Sequence, residues 1–250
     1  MSVPMVLGVI PARYGSTRFP GKPLALIAGQ PMIQRVYQRC LKARSLSGVV
    51  VATDDQRIAA CVAGFGGSVV MTSARHRSGT DRIAEVLQKF RIQNSKFPII
   101  LNIQGDEPLV SPRAIDQLAE AMIADPSLQM ATLATAFHDR QELASPNTAK
   151  IAVDDDGFAL YFSRAVIPHA REAGEFELRR YRKHVGMYAY RADFLGRFTA
   201  WKPGRLERVE QLEQLRALEH GVRIKVVDTR HYSPAVDTPQ DLRRIARLLR

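Results

Sequence analysis

A basic loop near the start of the chain has the residue types that bind a polyphosphate. It follows the apolar run Met5–Ile10 and carries two arginines, one lysine, two glycines and two aliphatic hydroxyls in the segment PARYGSTRFPGK. Arginine and lysine form charge-assisted hydrogen bonds with phosphate oxygens, and glycine lets the backbone approach closely. The glycine spacing matches neither the Walker loop nor the GxGxxG pattern. The segment is therefore either a phosphate-binding loop of another kind or an ordinary solvated loop.

Two acidic positions could supply carboxylates to a metal ion on such a phosphate. Asp106 follows the apolar run Pro98–Ile103, at the strand end where open α/β sheets bind ligands. Asp237 stands just before the helix start Thr238-Pro239. Each has a simpler explanation, because an acid stabilises a helix N-terminus and an aspartate favours a turn. Together with the basic loop, the pair predicts an Mg²⁺ site on a nucleoside triphosphate, since Mg²⁺ prefers one or two carboxylates plus phosphate oxygens.

Hydroxyl residues and a glycine between Thr72 and Asp81 form a third candidate site. They could recognise the edge of a base through backbone groups. They could equally cap the next helix, with Thr80 as the N-cap and Asp81 in the first turn.

The polar candidates in the second half of the chain are more scattered. Arg164 ends a predicted strand, where it could bind a carboxylate. His184 is a lone histidine, a type that is more often structural. Glu213 and Gln214 fall in a predicted amphipathic helix, where such side chains are usually solvated.

Strands and helices alternate in the first half of the chain and are less regular after about Met130. The predicted strands are Met5–Ile10, Val49–Ala52, Val69–Met71, Pro98–Ile103, Met130–Phe137, Ala149–Val153, Ala159–Ser163, Val185–Tyr190 and Ile224–Val227. The predicted helices are Pro31–Leu41, one starting at Thr53-Asp54-Asp55, Asp81–Phe90, Ser111–Ile123, Leu206–His220 and Pro239–Leu249. Continuous apolar strands between helices indicate an α/β fold with a mostly parallel sheet covered on both faces. A smaller mixed α/β lobe is expected to interrupt it.

Composition places limits on the class of protein. The 250 residues are 46% hydrophobic, and no stretch approaches the roughly 20 apolar residues of a membrane span. The first residues lack the pattern of a signal peptide, and the two cysteines, Cys40 and Cys61, fall in apolar helical patterns. We therefore expect a cytoplasmic protein without membrane insertion.

The net charge of +11 is compatible with nucleic acid, an anionic surface or small polyanionic substrates. Most basic residues are dispersed, and the aromatic residues, 7% of the chain, lie mostly in apolar patterns. A basic nucleic-acid-binding module is therefore the less favoured alternative.

Ordered motifs along nearly the whole chain, from about Leu7, resemble the 3-deoxy-manno-octulosonate cytidylyltransferase family. They are IPARYGSTRFPGKPL, VATDD, MTSARHRSGTDR, NIQGDEP, ALYFSRAVIP, KHVGMYAY, LEQLRALEHG and VDTP. Phe19 stands where the family usually has Leu, and Gly15 where Ala is common. Neither difference removes a charge.

The resemblance implies a Rossmann-like nucleotidyltransferase core and a homodimer. It implies one domain over residues 1–250, with a nucleotide-binding core at 1–130, a sugar-binding and dimerisation lobe at about 131–205, and residues 206–250 completing the core. The implied reaction transfers CMP from CTP to the C2 hydroxyl of 3-deoxy-D-manno-octulosonate (Kdo) and releases pyrophosphate, for lipopolysaccharide biosynthesis. The 8-amino analogue of Kdo is an alternative acceptor.

The resemblance also assigns roles to individual residues. The nucleotide-binding residues would be Ala12, Arg13, Ser16, Arg18, Lys22, Thr72, Ser78, Gly79 and Asp106. Asp106 and Asp237 would bind Mg²⁺, and these two with Arg13 and Lys22 would form the catalytic set. The sugar-acid pocket would consist of Gln104, Arg164, His184, Tyr188, Glu213 and Gln214.

Overall fold

The fold is that of a computed structural model, which describes residues 5–15, 18–76, 78–92, 97–172 and 177–249. The strands are β1 (Val6–Ala12), β2 (Leu26–Ile27), β3 (Gln30–Pro31), β4 (Gly48–Thr53), β5 (Val69–Met71), β6 (Ile99–Asn102), β7 (Met130–Ala136), β8 (Lys150–Val153), β9 (Ala159–Ser163), β10 (Arg182–Arg191) and β11 (Ile224–Asp228). The helices are α1 (Met32–Cys40), α2 (Gln56–Gly64), α3 (Gly79–Ile92), α4 (Pro112–Ala124), α5 (Arg140–Ala144), α6 (Ala192–Ala200), α7 (Arg205–Glu210), α8 (Leu215–Glu219) and α9 (Pro239–Leu248).

One mixed sheet of nine strands forms the centre of the fold. Its main path runs β11-β7-β10-β6-β1-β4-β5, with β8 and β9 joined through β10. The pairs β6–β1, β1–β4, β4–β5 and β7–β11 are parallel. The expected α/β fold with a mostly parallel sheet is confirmed.

The apolar runs of the sequence explain why this sheet is covered on both faces. Val6, Val9 and Ile10 of β1 and all four residues of β6 are buried. Alternate residues of these strands enter two separate apolar clusters, one on each side of the sheet. Side chains of successive strand residues point to opposite faces, so a continuous apolar run needs helices on both.

The strand β10 lies antiparallel between β6 and β7. Its register with β7 shifts between Val185 and Tyr188, so an irregular stretch around Gly186 occurs in the middle of the sheet. Strands from residues 131–205 thus belong to the same sheet as the first half of the chain. The division into a core and a sugar-binding lobe stays a prediction.

Three local expectations were wrong. The predicted helix Leu206–His220 is two short helices, because Gln211 adopts the left-handed conformation (φ 54°) that ends α7. The helix α5, which lies between β7 and β8, and the helix α6 were not expected. At the start of α3, Ser78 Oγ rather than Thr80 accepts the first-turn amide, from Asp81 at 3.1 Å.

The start of α9 follows the expected pattern. Thr238 is the N-cap, Pro239 occupies the first turn, and Thr238 and Asp241 form a reciprocal capping box. Within the described ranges, no helix has the length and apolarity needed to cross a membrane.

Candidate active site

A cleft of about 380 Å³ opens at the carboxyl ends of β1 and β6. This volume lies within the range of small-molecule sites. Its lining residues are Pro11, Ala12, Arg13, Arg18, Lys22, Pro23, His76, Ser78, Gly79, Arg82, Gln104, Gly105, Asp106 and Asp237. The basic loop, both candidate carboxylates and part of the third candidate site therefore share one cavity. Ser16 lies outside the described residues.

The centre of the cleft is an ion-pair network around Lys22. Its Nζ lies 2.5 Å from Asp106 Oδ2 and 3.4 Å from Asp237 Oδ1, and donates to the Val236 carbonyl at 3.2 Å. Arg18 Nη2 lies 3.1 Å from the same Asp237 oxygen. The loop before α9 is held against the loop after β6 by the bond from Val236 N to Asp106 O, 2.8 Å long. These contacts bring the two acids together from distant parts of the chain.

Asp106 and its neighbour Glu107 have different environments. The Asp106 carboxylate faces the cleft, whereas Glu107 is 7% exposed. Burial, with the nearby Asp106 charge, raises the pKa of Glu107 to about 8, although Lys183 acts in the opposite direction. Of the two consecutive acids, only Asp106 lines the cleft.

The wall of the cleft next to the basic loop is formed by the segment before α3. Ser78 and Gly79 line the cavity as expected, but Thr72 does not. Thr72 is buried, and its hydroxyl accepts a 2.5 Å hydrogen bond from Arg82 Nη1. Arg82 also pairs with Asp54 at 3.2 Å. Arg82 and His76 both line the cleft, and the sequence reasoning missed them.

Two of the expected sugar-pocket residues lie at or beside β10. Gln104 Nε2 donates to the Gly186 carbonyl at 2.7 Å. His184 Nε2 lies 3.0 Å from Thr132 Oγ1, and its ring packs against Phe162 and Tyr188. Burial among these rings lowers the pKa of His184 to about 3. His184 is therefore a neutral hydrogen-bonding group at physiological pH.

Arg164 is held by backbone carbonyls. Its guanidinium donates to the carbonyls of Glu210 (2.7 Å), Pro146 (2.9 Å) and Gln211 (3.3 Å). Its own carbonyl accepts from the fully buried Lys150 Nζ at 2.7 Å. Only part of the donor capacity of Arg164 remains for a carboxylate.

Glu213 and Gln214 lie between α7 and α8. Glu213 Oε2 accepts a 2.5 Å hydrogen bond from Thr80 Oγ1, which connects this segment to α3. Burial raises the pKa of Glu213. Gln214 is 4% exposed, and its Nε2 has no hydrogen-bond partner among the described residues. These residues, with Arg164, His184 and Tyr188, do not line the 380 Å³ cleft itself.

Comparisons with known proteins agree over nearly the whole chain. A family model described as cytidylyltransferase matches residues 7–224. A 3-deoxy-manno-octulosonate cytidylyltransferase from Desulfatibacillum aliphaticivorans is 52% identical, covering 98% of both chains. The chain belongs to the 3-deoxy-manno-octulosonate cytidylyltransferase family. A relative of the same name from Desulfosudis oleivorans is 50% identical over 98% of this chain and 97% of its own.

A solved structure extends the cytidylyltransferase likeness to three dimensions. It is a CMP:2-keto-3-deoxy-manno-octonic acid synthetase complexed with CTP, 44% identical, with a TM-score of 0.91 and 98% of each chain covered. The nucleotidyltransferase fold expected from the motifs is thereby confirmed.

The donors at the centre of this cytidylyltransferase cleft fit a magnesium ion. Two carboxylates and a carbonyl surround the Lys22 ammonium, so a cation already lies among hard oxygen donors of the type that Mg²⁺ prefers. In the described part of the chain, no group of three or more His, Cys, Asp or Glu side chains could hold a metal. The protein would thus supply two carboxylates and leave further positions to substrate or water.

Proposed function

We propose that this enzyme transfers CMP from CTP to the C2 hydroxyl of Kdo and releases pyrophosphate. Two observations together support this proposal. The chain matches enzymes of that name over 98% of its length, and its cleft brings together Lys22, Asp106 and Asp237. A basic nucleic-acid-binding module would not need this paired-acid arrangement. We further propose that the enzyme is a cytoplasmic homodimer and acts in lipopolysaccharide biosynthesis.

The basic loop has the charges needed to bind the triphosphate. We propose that Arg13, Arg18 and Lys22 neutralise its oxygens. The base and ribose would lie along the wall that contains Ser78 and Gly79, both of which line the cleft. Ala12 and Ser16 would complete the nucleotide site. Thr72 would support this wall through Arg82 rather than contact the nucleotide, because its hydroxyl is buried against that guanidinium.

The reaction forms one bond and breaks one. The sugar C2 oxygen attacks the α-phosphorus, the bond to the bridging oxygen of pyrophosphate breaks, and the hydroxyl proton is lost to solvent or a nearby base. Such phosphoryl chemistry depends mainly on positioning and charge neutralisation, which the cations of the basic loop provide. Asp106 and Asp237 would hold Mg²⁺, which when bound neutralises phosphate charge and lowers the pKa of a nearby hydroxyl.

The sugar acid would lie beyond Gln104, toward the irregular stretch of β10. We propose that Gln104, His184, Tyr188, Glu213 and Gln214 bind its hydroxyls. The unpartnered amide of buried Gln214 supports this assignment, because a buried donor without an acceptor is costly. Arg164 would bind the carboxylate with the donors that its three carbonyl contacts leave open.

A substrate panel tests this function. The four nucleoside triphosphates are each incubated with Mg²⁺ and Kdo, 8-amino-Kdo or sialic acid, and pyrophosphate is measured. Release is expected with CTP and Kdo. Release with 8-amino-Kdo alone would move the assignment to that analogue, and release only with another sugar would refute the named reaction.

A further inference from the structure

Three side chains of α3 lie on one side of the helix and contact the segment before it. Arg82, Glu85 and Lys89 are spaced three and four residues apart, which places them on one helical face. Lys89 Nζ donates to the Met71 carbonyl at 2.6 Å, and Arg82 contacts Thr72.

Glu85, in the middle of this face, makes the largest number of these contacts. Its Oε2 accepts from the Ser73 amide at 2.8 Å and lies 2.5 Å from His76 Nε2. Its Oε1 lies 2.9 Å from Lys89 Nζ. One carboxylate therefore fixes two points of the segment, one on the backbone and one on a side chain.

The segment that Glu85 holds reaches the proposed nucleotide cleft through His76. His76 lines the cleft with Ser78 and Gly79, whereas Glu85 does not. Without Glu85, the amide of Ser73 and the ring of His76 would lose their acceptor. Glu85 can therefore affect the nucleotide only through the residues that it holds.

We propose that Glu85 is a positioning residue, which fixes the segment from Ser73 to His76 in the conformation that binds the nucleoside triphosphate. The inference rests on the proposed function for its ligand, CTP. His76 lines the cleft proposed for the nucleotide, and the segment contains no residue of the proposed sugar pocket. Glu85 therefore contributes to nucleotide affinity and little to the chemical step.

The charge state of Glu85 agrees with this role. Partial burial works against ionisation, but hydrogen bonds from Ser73, Lys89 and His76 lower the pKa of Glu85 to about 2. The acceptor is thus ionised at any pH at which the enzyme would be assayed.

The test compares Glu85→Ala and Glu85→Gln with the wild-type enzyme. CTP binding is measured by calorimetry, and kcat and KM for each substrate by pyrophosphate release. Glu85→Ala should weaken CTP binding and raise its KM about tenfold, with kcat and the KM for Kdo within about threefold, as expected for lost uniform binding. Glu85→Gln keeps an acceptor for the Ser73 amide, so its effect should be smaller.

The matched control is Glu120→Gln on α4, an exposed glutamate that should behave like wild type. Thermal unfolding establishes whether each variant is folded. If Glu85→Ala does not fold, the comparison of Glu85→Gln with wild type provides the test. Unchanged CTP affinity in a folded Glu85 variant, or an equal rise of both KM values, overturns the proposal. If wild-type enzyme binds CTP but forms no product, the proposed reaction fails while the binding comparison still decides the role of Glu85.

Discussion

The Lys22 ammonium lies 2.5 Å from Asp106 Oδ2, within a site whose second acid, Asp237, is 3.4 Å from the same nitrogen. Lys22 therefore lies between two carboxylates that would otherwise repel each other. In the proposed reaction, an Mg²⁺ ion bound to the two carboxylates would free the same lysine to contact the phosphates. Arg18, 3.1 Å from Asp237, supplies the second positive charge of this cluster. The effect of replacing any of these side chains should therefore depend on Mg²⁺.

Replacing the central cation should make the fold sensitive to Mg²⁺. In Lys22→Met the two acids lose their shared partner, so we expect a loss of about 1–2 kcal/mol of unfolding free energy without metal. Added Mg²⁺ should raise the Tm of this variant more than that of wild type, because the ammonium no longer competes for the oxygens. Differential scanning calorimetry with and without Mg²⁺ measures this, with the exposed Lys202→Met as control. Equal Mg²⁺ shifts in all three proteins would contradict the shared site.

Neutral substitution of the two consecutive acids after β6 should change kcat to very different extents. Asp106→Asn removes a charged group of the cleft, so kcat for pyrophosphate release should fall at least about a hundredfold, the scale of losing a few kcal/mol of transition-state stabilisation. Glu107→Gln replaces a carboxyl whose pKa is about 8, so at pH 7 its kcat should stay within about threefold. Steady-state assays at pH 7 distinguish the two. A severe loss in Glu107→Gln would show that the buried acid acts as an ionised group.

Gly105 provides a contact that an alanine side chain would not permit. A Cβ there would lie 2.8 Å from the Pro11 carbonyl oxygen, so the loops after β1 and β6 would have to separate. We expect Gly105→Ala to lower the free energy of unfolding by about 1–3 kcal/mol and to weaken CTP binding. Urea unfolding measures the first effect and calorimetry the second.

The matched glycine is Gly196 in α6, where nothing lies within 4 Å of an added Cβ. Gly196→Ala should be neutral or stabilise the fold by roughly 0.5–1 kcal/mol, because it favours the helix. Equal behaviour of the two alanine variants would exclude the proposed steric constraint.

His184 should make stability depend on pH in a known direction. Its pKa falls from 6.5 to about 3 on burial, so the unfolded chain takes up a proton below pH 6.5 and the folded chain does not. The contribution of neutral His184 to the free energy of unfolding is complete above pH 6.5 and is lost as the pH falls toward 3. Between pH 7.5 and 5.5, wild type should lose about 1 kcal/mol more than His184→Gln in urea unfolding. If the free energy of unfolding depends on pH in the same way in both proteins, His184 takes up a proton as readily in the folded chain as in the unfolded chain.

The elements built from strong local signals could be predicted from the sequence. The apolar run of β1, the amphipathic pattern of α1 and the Thr238 cap each depend on neighbouring residues, and all three occur as expected. The sequence also suggested that Asp106, which follows β6, and Asp237, which precedes α9, act together. In the structure both contact Lys22.

The remaining features depend on tertiary contacts that local patterns do not encode. Gln211 ends α7 in a left-handed conformation without the glycine that usually marks one. Arg82 reaches the cleft only because of the orientation of α3. Glu107 and Asp106 are adjacent acids in the sequence, and only the packing around Glu107 distinguishes them. The antiparallel insertion of β10 is likewise a property of the assembled sheet.

The contact between Lys22 and Asp237 joins positions 215 residues apart. Chains fold progressively from the N-terminus during synthesis, so the basic loop and the strands around β1 emerge well before the segment that carries Asp237. A nascent chain that stops short of α9 would hold the cations and one acid, but not the complete pair. A ligand that needs both acids therefore stabilises only a chain in which both segments have been made and folded.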